Sequence, residues 1–259
     1  MWERFADLVV AAGGAVRLKT AVTRLHHDGR HIDRVEVSDG RSETVQAGHV
    51  ISSLPLATLL QRLDPLPPPD VLAAGQALRH RDFILVGLIL DAPVTFPDTW
   101  LYVHGPEALV GRVQNFRNWC AALVPDARHT SLGMEYFCSV GDATWSRTDA
   151  ELLDLAAREL QVLGLAPGAR VEDGCVIRQE KAYPVYDAAY RGHVERIRGY
   201  LARFENLQTI GRNGTHQYNN QDHAMLSGRL AARNVLGERH DVWAVNAEPS
   251  YLEDQPIGG

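Results

Sequence analysis

The stretch from Gly211 to Met225 is where the residue types and spacing in this sequence could do chemistry. It holds an arginine, a tyrosine and a run of amide and acid side chains, Asn219 to Asp222, at the start of a helical pattern over His223–Leu236. Asn and Asp are favoured at helix N-caps because their side chains accept hydrogen bonds from the first backbone N–H groups. The run therefore predicts a helix start whose remaining N–H groups and positive dipole end can stabilise negative charge on a ligand.

A flat ligand that gains negative charge would suit this helix start. A flavin is such a ligand, because charge collects around its pyrimidine edge when it is reduced, and a fixed helix terminus stabilises that charge without moving. Small residues on one helix face would allow a flat group to approach closely; they are Ala224, Ser227, Gly228, Ala231 and Ala232. The residues alone leave a second interpretation open, in which Asn220 or Asp222 only caps the helix and Arg212 only pairs at the surface.

Aromatic and arginine residues in the middle of the chain are a second group of candidates. The aromatic residues are Trp100, Tyr102, Trp119, Tyr136 and Trp145. They could form a wall for a substrate ring, or they could be core residues, because aromatic side chains dominate buried area. Arg112 and Arg117 flank a predicted strand and could hold a diphosphate or a carboxylate, or they could be solvated surface charges.

Several other classes of site receive little support from the sequence. No H-E-x-x-H pattern occurs among the eleven histidines, so no metal site is predicted. A G-x-S-x-G motif is missing as well, so a nucleophilic serine is not predicted. The net charge of −6 and the scattered arginines argue against nucleic-acid binding. No catalytic side chain can be assigned, which leaves a bound cofactor as the chemical agent.

Apolar patterning and cysteine spacing indicate a cytoplasmic globular protein. The longest apolar run, Phe83–Leu90, fits a buried strand and is much shorter than the about 20 residues of a membrane-spanning helix. The first residues do not resemble a secretory signal, so we expect a cytoplasmic location. Cys120, Cys138 and Cys175 are widely spaced and are expected to be buried free thiols.

The first 55 residues are predicted to form a helix followed by short strands. The helix covers residues 2–12, because apolar residues share one face and Gly13 ends the pattern. Strands are predicted over Val16–Leu18, Ala21–Leu25, His31–Val37 and Val45–Ile51. Two Asp-Gly pairs between them supply hairpin turns. Pro55 ends this region because proline cannot continue a central strand.

A proline-rich segment, Asp64–Asp70, is expected to be extended and to mark the passage into a second lobe. The strands predicted there form an antiparallel set: Phe83–Leu90, Thr99–Val103, Gly111–Phe116, Ser131–Cys138 and Val176–Tyr183. A capping box at Thr148–Glu151 begins a helix that ends at Gly164. A further helix is predicted over residues 188–204, and Leu207–Gly214 is predicted as a strand and a turn.

The pattern GRNGTHQYNNQDH at residues 211–223 resembles the carboxy-terminal flavin motif of the amine oxidase and protoporphyrinogen oxidase superfamily, close to UDP-galactopyranose mutase-like flavoproteins. Those proteins carry a Gly-Arg pair, a Gly, a Tyr and an Asp or Asn pair that opens the last helix. The segment Ala182–Tyr186 is similar to the Tyr-Pro segment that precedes the motif in the same proteins. The order of residues 13–55 is also similar, so the resemblance covers residues 2–237.

The resemblance implies an α/β plus α+β fold with a partial FAD-binding domain of the Rossmann-like, glutathione-reductase type. That domain would lack its first βαβ unit, since no G-x-G-x-x-G motif occurs to hold a pyrophosphate. It would comprise residues 1–57 and 205–240. A substrate lobe with a mainly antiparallel sheet would cover residues 58–204, and 241–259 would be a loosely ordered tail.

The resemblance also implies which residues meet FAD. They would be Val22, near the adenine, with Ser52, Ser53 and Pro55, and, at the flavin ring, Gly211, Arg212, Asn220, Gln221 and Asp222. The substrate side would be lined by Tyr183, Tyr186 and Tyr218, with Arg112 and Trp119 as the candidates from the middle of the chain. Asn220 stands where the mutases tend to have an Asp, which removes a charge expected for that activity.

Three functions are compatible with these residues. The first is an FAD-dependent oxidoreductase, as a truncated chain or one half of a split enzyme, which takes a hydride from an amine or an alicyclic carbon. The second is a sugar-nucleotide mutase, in which Arg212 and Tyr218 contact the diphosphate. The third is a non-catalytic remnant that binds a partner. The expected partners are a small-molecule substrate, a sugar nucleotide in the mutase, and a second chain or copy that covers the surface of the missing unit.

Overall fold

The computed structural model describes residues 1–92, 96–124 and 126–246. The chain divides into two compact units. The first unit joins Met1–Arg79 to the segment that begins at Tyr186, and the second unit is His80–Val185. The expected substrate lobe, residues 58–204, extends beyond the second unit at both ends. The assignment of FAD and substrate roles to the two units stays a prediction.

Both units combine helices and strands. The strands are β1 Ala21–His27, β2 Ile32–Ser38, β3 Ser42–Gln46, β4 Val50–Ser52, β5 Leu63–Asp64, β6 His80–Leu90, β7 Trp100–Tyr102, β8 Arg112–Asn115, β9 Thr130–Cys138, β10 Val171–Pro184 and β11 Leu207–Thr209. The α-helices are α1 Trp2–Ala11, α2 Leu56–Arg62, α3 Pro69–Ala77, α4 Phe116–Trp119, α5 Asp149–Val162, α6 Tyr190–Leu201, α7 Gly211–Thr215 and α8 Gln221–Val235.

The first unit contains two small sheets. Strands β3, β2, β1 and β5 form one, in that order, with β1 antiparallel to β2 and parallel to β5. Strands β11 and β4 form the other, a parallel pair. Leu59 of α2 and Ile197 of α6 are fully buried in a core shared with Leu25 of β1 and Leu207 of β11. This core fixes the ends of β4 and β11, where the candidate site begins.

The second unit is a five-stranded antiparallel sheet in the order β10, β6, β9, β8, β7. One face packs on α5, where Ile84 and Met134 of the sheet meet Leu152 and Leu160 of the helix in a buried core. The predicted antiparallel set is confirmed, and so is the capping box at the start of α5. At the coarse level, the expected mixture of α/β structure and an antiparallel sheet is therefore confirmed.

Some elements differ from the sequence predictions. Asp64–Asp70 does not lead into the second unit, because Pro69 begins α3, where its fixed φ and missing N–H are compatible with a helix start. Val16–Leu18 is not a strand, and Val45–Ile51 is divided between β3 and β4. The turn expected before Gly214 is the one-turn helix α7.

All three cysteines are free, but only Cys138 is buried. The prediction that Cys120 and Cys175 are buried is wrong, since both are exposed. Residues 247–259, most of the expected tail, lie outside the described residues. No helix in the described part of the chain combines the length and the apolarity needed to cross a bilayer.

Glu159 is a buried carboxylate that joins α5 to the sheet. Its oxygens accept hydrogen bonds from the backbone N–H groups of Leu109 (2.6 Å) and Val110 (3.2 Å) and from the Tyr136 hydroxyl (2.9 Å). Burial and the adjacent charge of Glu159 raise the pKa of Tyr136 above its usual range, so Tyr136 remains a donor. Two buried donors and one part-buried donor thus depend on one side chain.

Glu159→Ala is therefore expected to lower the free energy of unfolding by roughly 3 kcal/mol, because it leaves two buried donors and one part-buried donor without an acceptor. Urea unfolding of the purified chain measures this. Asp154→Ala, at an exposed position of the same helix, is the matched control and should not lower stability. Equal stability of the two variants would contradict the assignment of Glu159 as a structural acceptor.

Candidate functional site

Two segments that were singled out in the sequence lie against each other in the first unit. The Ile210 N–H donates to the Ser52 carbonyl at 2.9 Å, at the end of the β11–β4 pair. Helix α7 follows so closely that a Cβ on Gly214 would lie 2.9 Å from the Ser52 carbonyl oxygen and 3.5 Å from Ser53 Cα. A side chain at position 214 would displace the turn before α2, so this packing depends on glycine.

Gly211 ties this turn to α8. Its φ of 71° lies in the left-handed region, which glycine adopts without steric cost. Its N–H donates to the Ser227 hydroxyl at 3.2 Å, and that hydroxyl donates to the Ala224 carbonyl at 2.8 Å. Ser227 and Ala231 are buried, so these small residues of α8 do pack closely against the chain.

Arg212 closes the loop that follows α7. Its Nε and Nη2 atoms donate to the Asn219 carbonyl at 3.0 and 2.7 Å. Its guanidinium lies 4.8 Å from the centre of the Tyr218 ring, which is a cation–π contact. Arg212 thus holds residues 212–219 in a compact loop and places a positive charge beside Tyr218.

Two of the expected substrate residues, Tyr186 and Tyr218, meet in the same unit. The Tyr218 N–H donates to the Tyr186 hydroxyl at 2.6 Å, and the Tyr218 carbonyl accepts from Asn246 Nδ2 at 2.5 Å. The Tyr190 ring lies 4.6 Å from the Tyr186 ring. Hydrogen bonds to the Tyr218 backbone and the contact between the Tyr186 and Tyr190 rings therefore both support the loop at residues 212–219.

Helix α8 begins at Gln221, two residues before the predicted start at His223 and within the predicted capping run Asn219–Asp222. Asn220 is the N-cap, and its N–H donates to His223 Nδ1 at 3.3 Å. Gln221 and Asp222 are exposed. A mainly apolar cleft of about 740 Å³ adjoins this helix start and is lined by Trp2, Phe5, Asp222, Met225, Leu226 and Arg229. The helix tip is therefore next to open space rather than enclosed by side chains.

Three amide side chains in the loop were not predicted as site residues. Asn213 Oδ1, Gln217 Oε1 and Asn219 Oδ1 are all buried and, in the described part of the chain, accept no hydrogen bond. Asn219 is only 4% exposed. His216, also buried, adopts the left-handed conformation with φ of 50°, which is uncommon for a residue with a side chain. Amide oxygens in a buried loop give no sequence signal that separates them from ordinary turn residues.

The other expected substrate residues lie in the second unit. Arg112 Nε donates to the Glu135 carboxylate at 2.5 Å, and Arg112 Nη2 donates to the Tyr183 hydroxyl at 3.2 Å. Burial acts to lower the pKa of Arg112, but the hydrogen bond and charge of Glu135 outweigh it and raise that pKa above its usual range. Glu135 was not predicted from the sequence, because its partner lies on a neighbouring strand.

The aromatic candidates divide between the core and the surface. Tyr136 is buried and Trp145 packs against the core of the second unit. Trp100, Tyr102 and Trp119 are exposed and in contact, with ring centres 6.2 Å apart for Trp100 and Tyr102 and 5.5 Å apart for Trp100 and Trp119. The core interpretation thus holds for Tyr136 and Trp145, and the substrate wall formed by the other three residues stays a prediction.

The remaining candidates are less closely grouped. Arg117 donates to the backbone carbonyls of Ala127 and His129, so it holds a loop. Val22 of β1 packs against the core of the first unit, and Pro55 is the N-cap of α2. Among the described residues, no three His, Cys, Asp or Glu side chains are grouped closely enough to hold a metal ion.

Comparison with known proteins identifies the family. The sequence model of the family described as flavin containing amine oxidoreductase matches residues 1–236. The chain belongs to this family. The resemblance to the amine oxidase superfamily is thereby confirmed, and so is FAD as the expected cofactor. A search of the curated proteins found no match.

Solved structures agree with membership of the flavin amine oxidoreductase family at the level of the fold. A reduced UDP-galactopyranose mutase superposes with a TM-score of 0.73 at 21% identity, covering 92% of this chain and 51% of the other. Cyclohexylamine oxidase from Brevibacterium oxydans IH-35A gives 0.64 at 16% identity, covering 91% and 51%. A candidate protoporphyrinogen oxidase from Exiguobacterium sp. 255-15 gives 0.64 at 18%, covering 87% and 48%. The chain thus spans about half the length of these structures.

The loop before α8 suits the family's flavin. A buried acceptor without a donor costs about 1–3 kcal/mol, so three such oxygens within Asn213–Asn219 indicate that a ligand can supply donors. A flavin ring carries one imide N–H donor and, around it, oxygen and nitrogen acceptors. The helix start at Asn220 offers donors and a positive dipole end to those acceptors. The residues present therefore fit the imide edge of the group, where its one N–H would satisfy one of the three oxygens.

Gly214→Ala is expected to destabilise the first unit by about 1–3 kcal/mol, because the new Cβ would overlap the Ser52 carbonyl oxygen. Thermal unfolding followed by circular dichroism measures this. Gly228→Ala is the matched control: it lies in α8, and the nearest atom to its Cβ would be 3.7 Å away. The control should be neutral or slightly stabilising, since alanine favours helices. A Gly214→Ala variant as stable as the wild type would rule out the close packing as a constraint.

Proposed function

We propose that this chain is the flavin-ring-binding and substrate-binding part of an FAD-dependent oxidoreductase. The observation that carries the proposal is the group of three buried, unpartnered amide oxygens at Asn213, Gln217 and Asn219, next to the start of α8. They need donors that residues 1–92, 96–124 and 126–246 do not provide. A flavin supplies one at its imide edge, and the helix start complements the rest of that edge.

In this proposal each part of the loop has a task. FAD supplies the redox chemistry, because its ring accepts a hydride from an amine or an alicyclic carbon. Asn219 accepts the imide N–H, and the N–H groups of Gln221 and Asp222 face the edge that gains negative charge. Arg212 and Tyr218 act by holding the loop in shape, as their mutual contacts support. The second unit orients a small-molecule substrate.

We further propose that another polypeptide segment, in the same or a second chain, completes the FAD site. Helix α1 has no buried residue, and its Trp2, Phe5 and Val10 are 46–58% exposed. The β4–β11 pair has two open edges among the described residues, and a parallel pair of this length is not stable alone. An exposed apolar helix face and an incomplete parallel sheet in the same unit suit the βαβ unit that would hold the pyrophosphate.

A sugar-nucleotide mutase is the second candidate, and the similarity to a reduced UDP-galactopyranose mutase, at a TM-score of 0.73, favours it. Two features speak against it. Asn220 lacks the carboxylate that the mutases tend to carry at that position, and the pairing of Arg112 with Glu135 neutralises a positive charge that a diphosphate would need. Calorimetry with UDP-galactose separates the two functions. Tight binding supports the mutase, and its absence supports the oxidoreductase.

The oxidoreductase proposal predicts saturable FAD binding that depends on Asn219. Titration of FAD, followed by quenching of flavin fluorescence, should give micromolar or weaker binding to the chain. Asn219→Ala should weaken binding about fivefold, the equivalent of about 1 kcal/mol for one hydrogen bond. The same variant should not lower the melting temperature of the flavin-free chain, because the Asn219 oxygen has no partner to lose there.

Gln46→Ala, at an exposed position of β3, is the control and should bind FAD like the wild type. Two results would contradict the proposal: no saturable quenching by the wild type, or equal affinity of wild type and Asn219→Ala. A colourless chain that self-associates in size-exclusion chromatography would instead support a non-catalytic, partner-binding function.

A further inference from the structure

The face of the second unit's sheet that points away from α5 carries an unusual set of side chains. Alternation along β8 and β9 places Val113 and Met134 in the core and Arg112 and Glu135 on the opposite face. On β7 the same face carries Trp100 and Tyr102, and Tyr102 is the register partner of Arg112. We call Trp100, Tyr102, Trp119, Phe137, Arg112 and Glu135 the aromatic face.

The charges on the aromatic face are already matched. The Glu135 side chain is 1% exposed, and its two oxygens accept from Arg112 Nε at 2.5 Å and from Gln114 Nε2. The Arg112 side chain is 11% exposed and donates also to the Tyr183 hydroxyl. A buried ion pair with these extra hydrogen bonds is electrically neutral toward its surroundings, and breaking it would leave an uncompensated buried charge.

Aromatic rings cover the guanidinium as well. The Arg112 Cζ atom lies 5.4 Å from the Trp100 ring centre, 5.7 Å from Tyr102 and 5.9 Å from Phe137. These cation–π contacts use the ring faces that an ammonium ligand would otherwise take. An arriving anion would have to compete with Glu135, and an arriving cation would meet Arg112. Neither sign of charge gains from this surface.

The outer parts of the rings remain open. Trp100 is 43% exposed, Tyr102 49%, Trp119 49% and Phe137 41%. The Trp100 and Trp119 rings are inclined at 76° with centres 5.5 Å apart, so they form a corner. A further ring can stack on one indole and meet the edge of the other, the two geometries that aromatic pairs prefer.

We propose that the aromatic face binds an uncharged ring, alicyclic or aromatic, as the substrate class of this enzyme, in preference to a diphosphate, a carboxylate or an ammonium group. This inference rests on the proposed function, in which the second unit orients the substrate. It narrows the hydride donor to a carbon on a neutral ring.

Three probes with the same ring test the charge preference: benzyl alcohol, benzoate and benzylamine. Binding to the flavin-free chain is followed by the NMR signals of the indole N–H groups of Trp100 and Trp119, assigned by Trp→Phe variants. Benzyl alcohol should bind at least about fivefold more tightly than either charged probe, the ratio that corresponds to one modest interaction. Equal affinities, a preference for a charged probe, or no shift of either indole would overturn the inference.

Variants of the ion pair make the test sharper. Glu135→Gln removes the carboxylate that matches Arg112, so benzoate should become the preferred probe. Arg112→Met/Glu135→Leu removes both charges and should keep the preference for benzyl alcohol, because an apolar pair of similar volume can replace a buried ion pair without loss of folding. The double variant keeps the test valid if Glu135→Gln unfolds. A preference for a charged probe in the double variant would also overturn the inference.

Asp149→Asn is the matched control, since Asp149 pairs with Arg178 at 2.5 Å in the same unit but on the exposed start of α5. It should leave all three affinities unchanged. The FAD titration is measured separately, so the two failures can be told apart. FAD binding without any ring binding overturns only the substrate class, whereas ring binding without FAD binding overturns the flavin function and, with it, the ring as a hydride donor.

Discussion

The candidate site depends on the lack of a side chain at Gly214. Gly214 allows α7 to lie against the backbone of Ser52–Leu54, at a distance that no Cβ could occupy. This contact fixes the start of the loop, and the two hydrogen bonds from Arg212 to the Asn219 carbonyl fix its end. The loop between them is therefore rigid, and a rigid loop can hold buried acceptors in place without a ligand.

That rigidity explains how the chain tolerates unfavourable groups. The oxygens of Asn213, Gln217 and Asn219, which have no partner among the described residues, and the left-handed His216 all cost stability in the free protein. Such features persist where the surrounding structure over-determines them, and they are concentrated at binding sites. In the second unit the opposite holds, since Glu135 pairs with Arg112 and also accepts from Gln114, while Arg112 also donates to Tyr183. The loop in the first unit therefore suits a ligand that carries hydrogen-bond donors, and the aromatic face in the second unit suits a ligand without charge.

The sequence predicted what depends on local patterns. The capping box at Thr148–Glu151 and the start of α8 at Asn220 follow from side chains a few residues apart, and both were placed correctly. The prediction of an extended linker at Asp64–Asp70 was wrong at its end, where Pro69 begins α3. Proline is common both in extended linkers and at the first position of helices, so it does not distinguish the two. Cys175 was expected to be buried, but a strand pattern does not reveal which sheet face is covered.

The parts of the site that the sequence missed depend on distant partners. Glu135 matters because β9 pairs with β8, and Gly214 matters because β11 pairs with β4. No spacing within one segment encodes these pairings. Asn219 was seen as one of several capping residues, and only its burial without a partner distinguishes it. The family motif pointed to the segment in which these oxygens lie, but only the structure shows which of its atoms are buried without a partner among the described residues.

The most direct test of the account is to observe where a flavin binds on this chain. Backbone and side-chain amide signals, followed by NMR during titration with FAD, locate the contact residue by residue. The account predicts that the largest shifts occur at Gly214, at the Asn219 side-chain amide and at the first turn of α8. Shifts confined to other surfaces, with these signals unmoved, would contradict it.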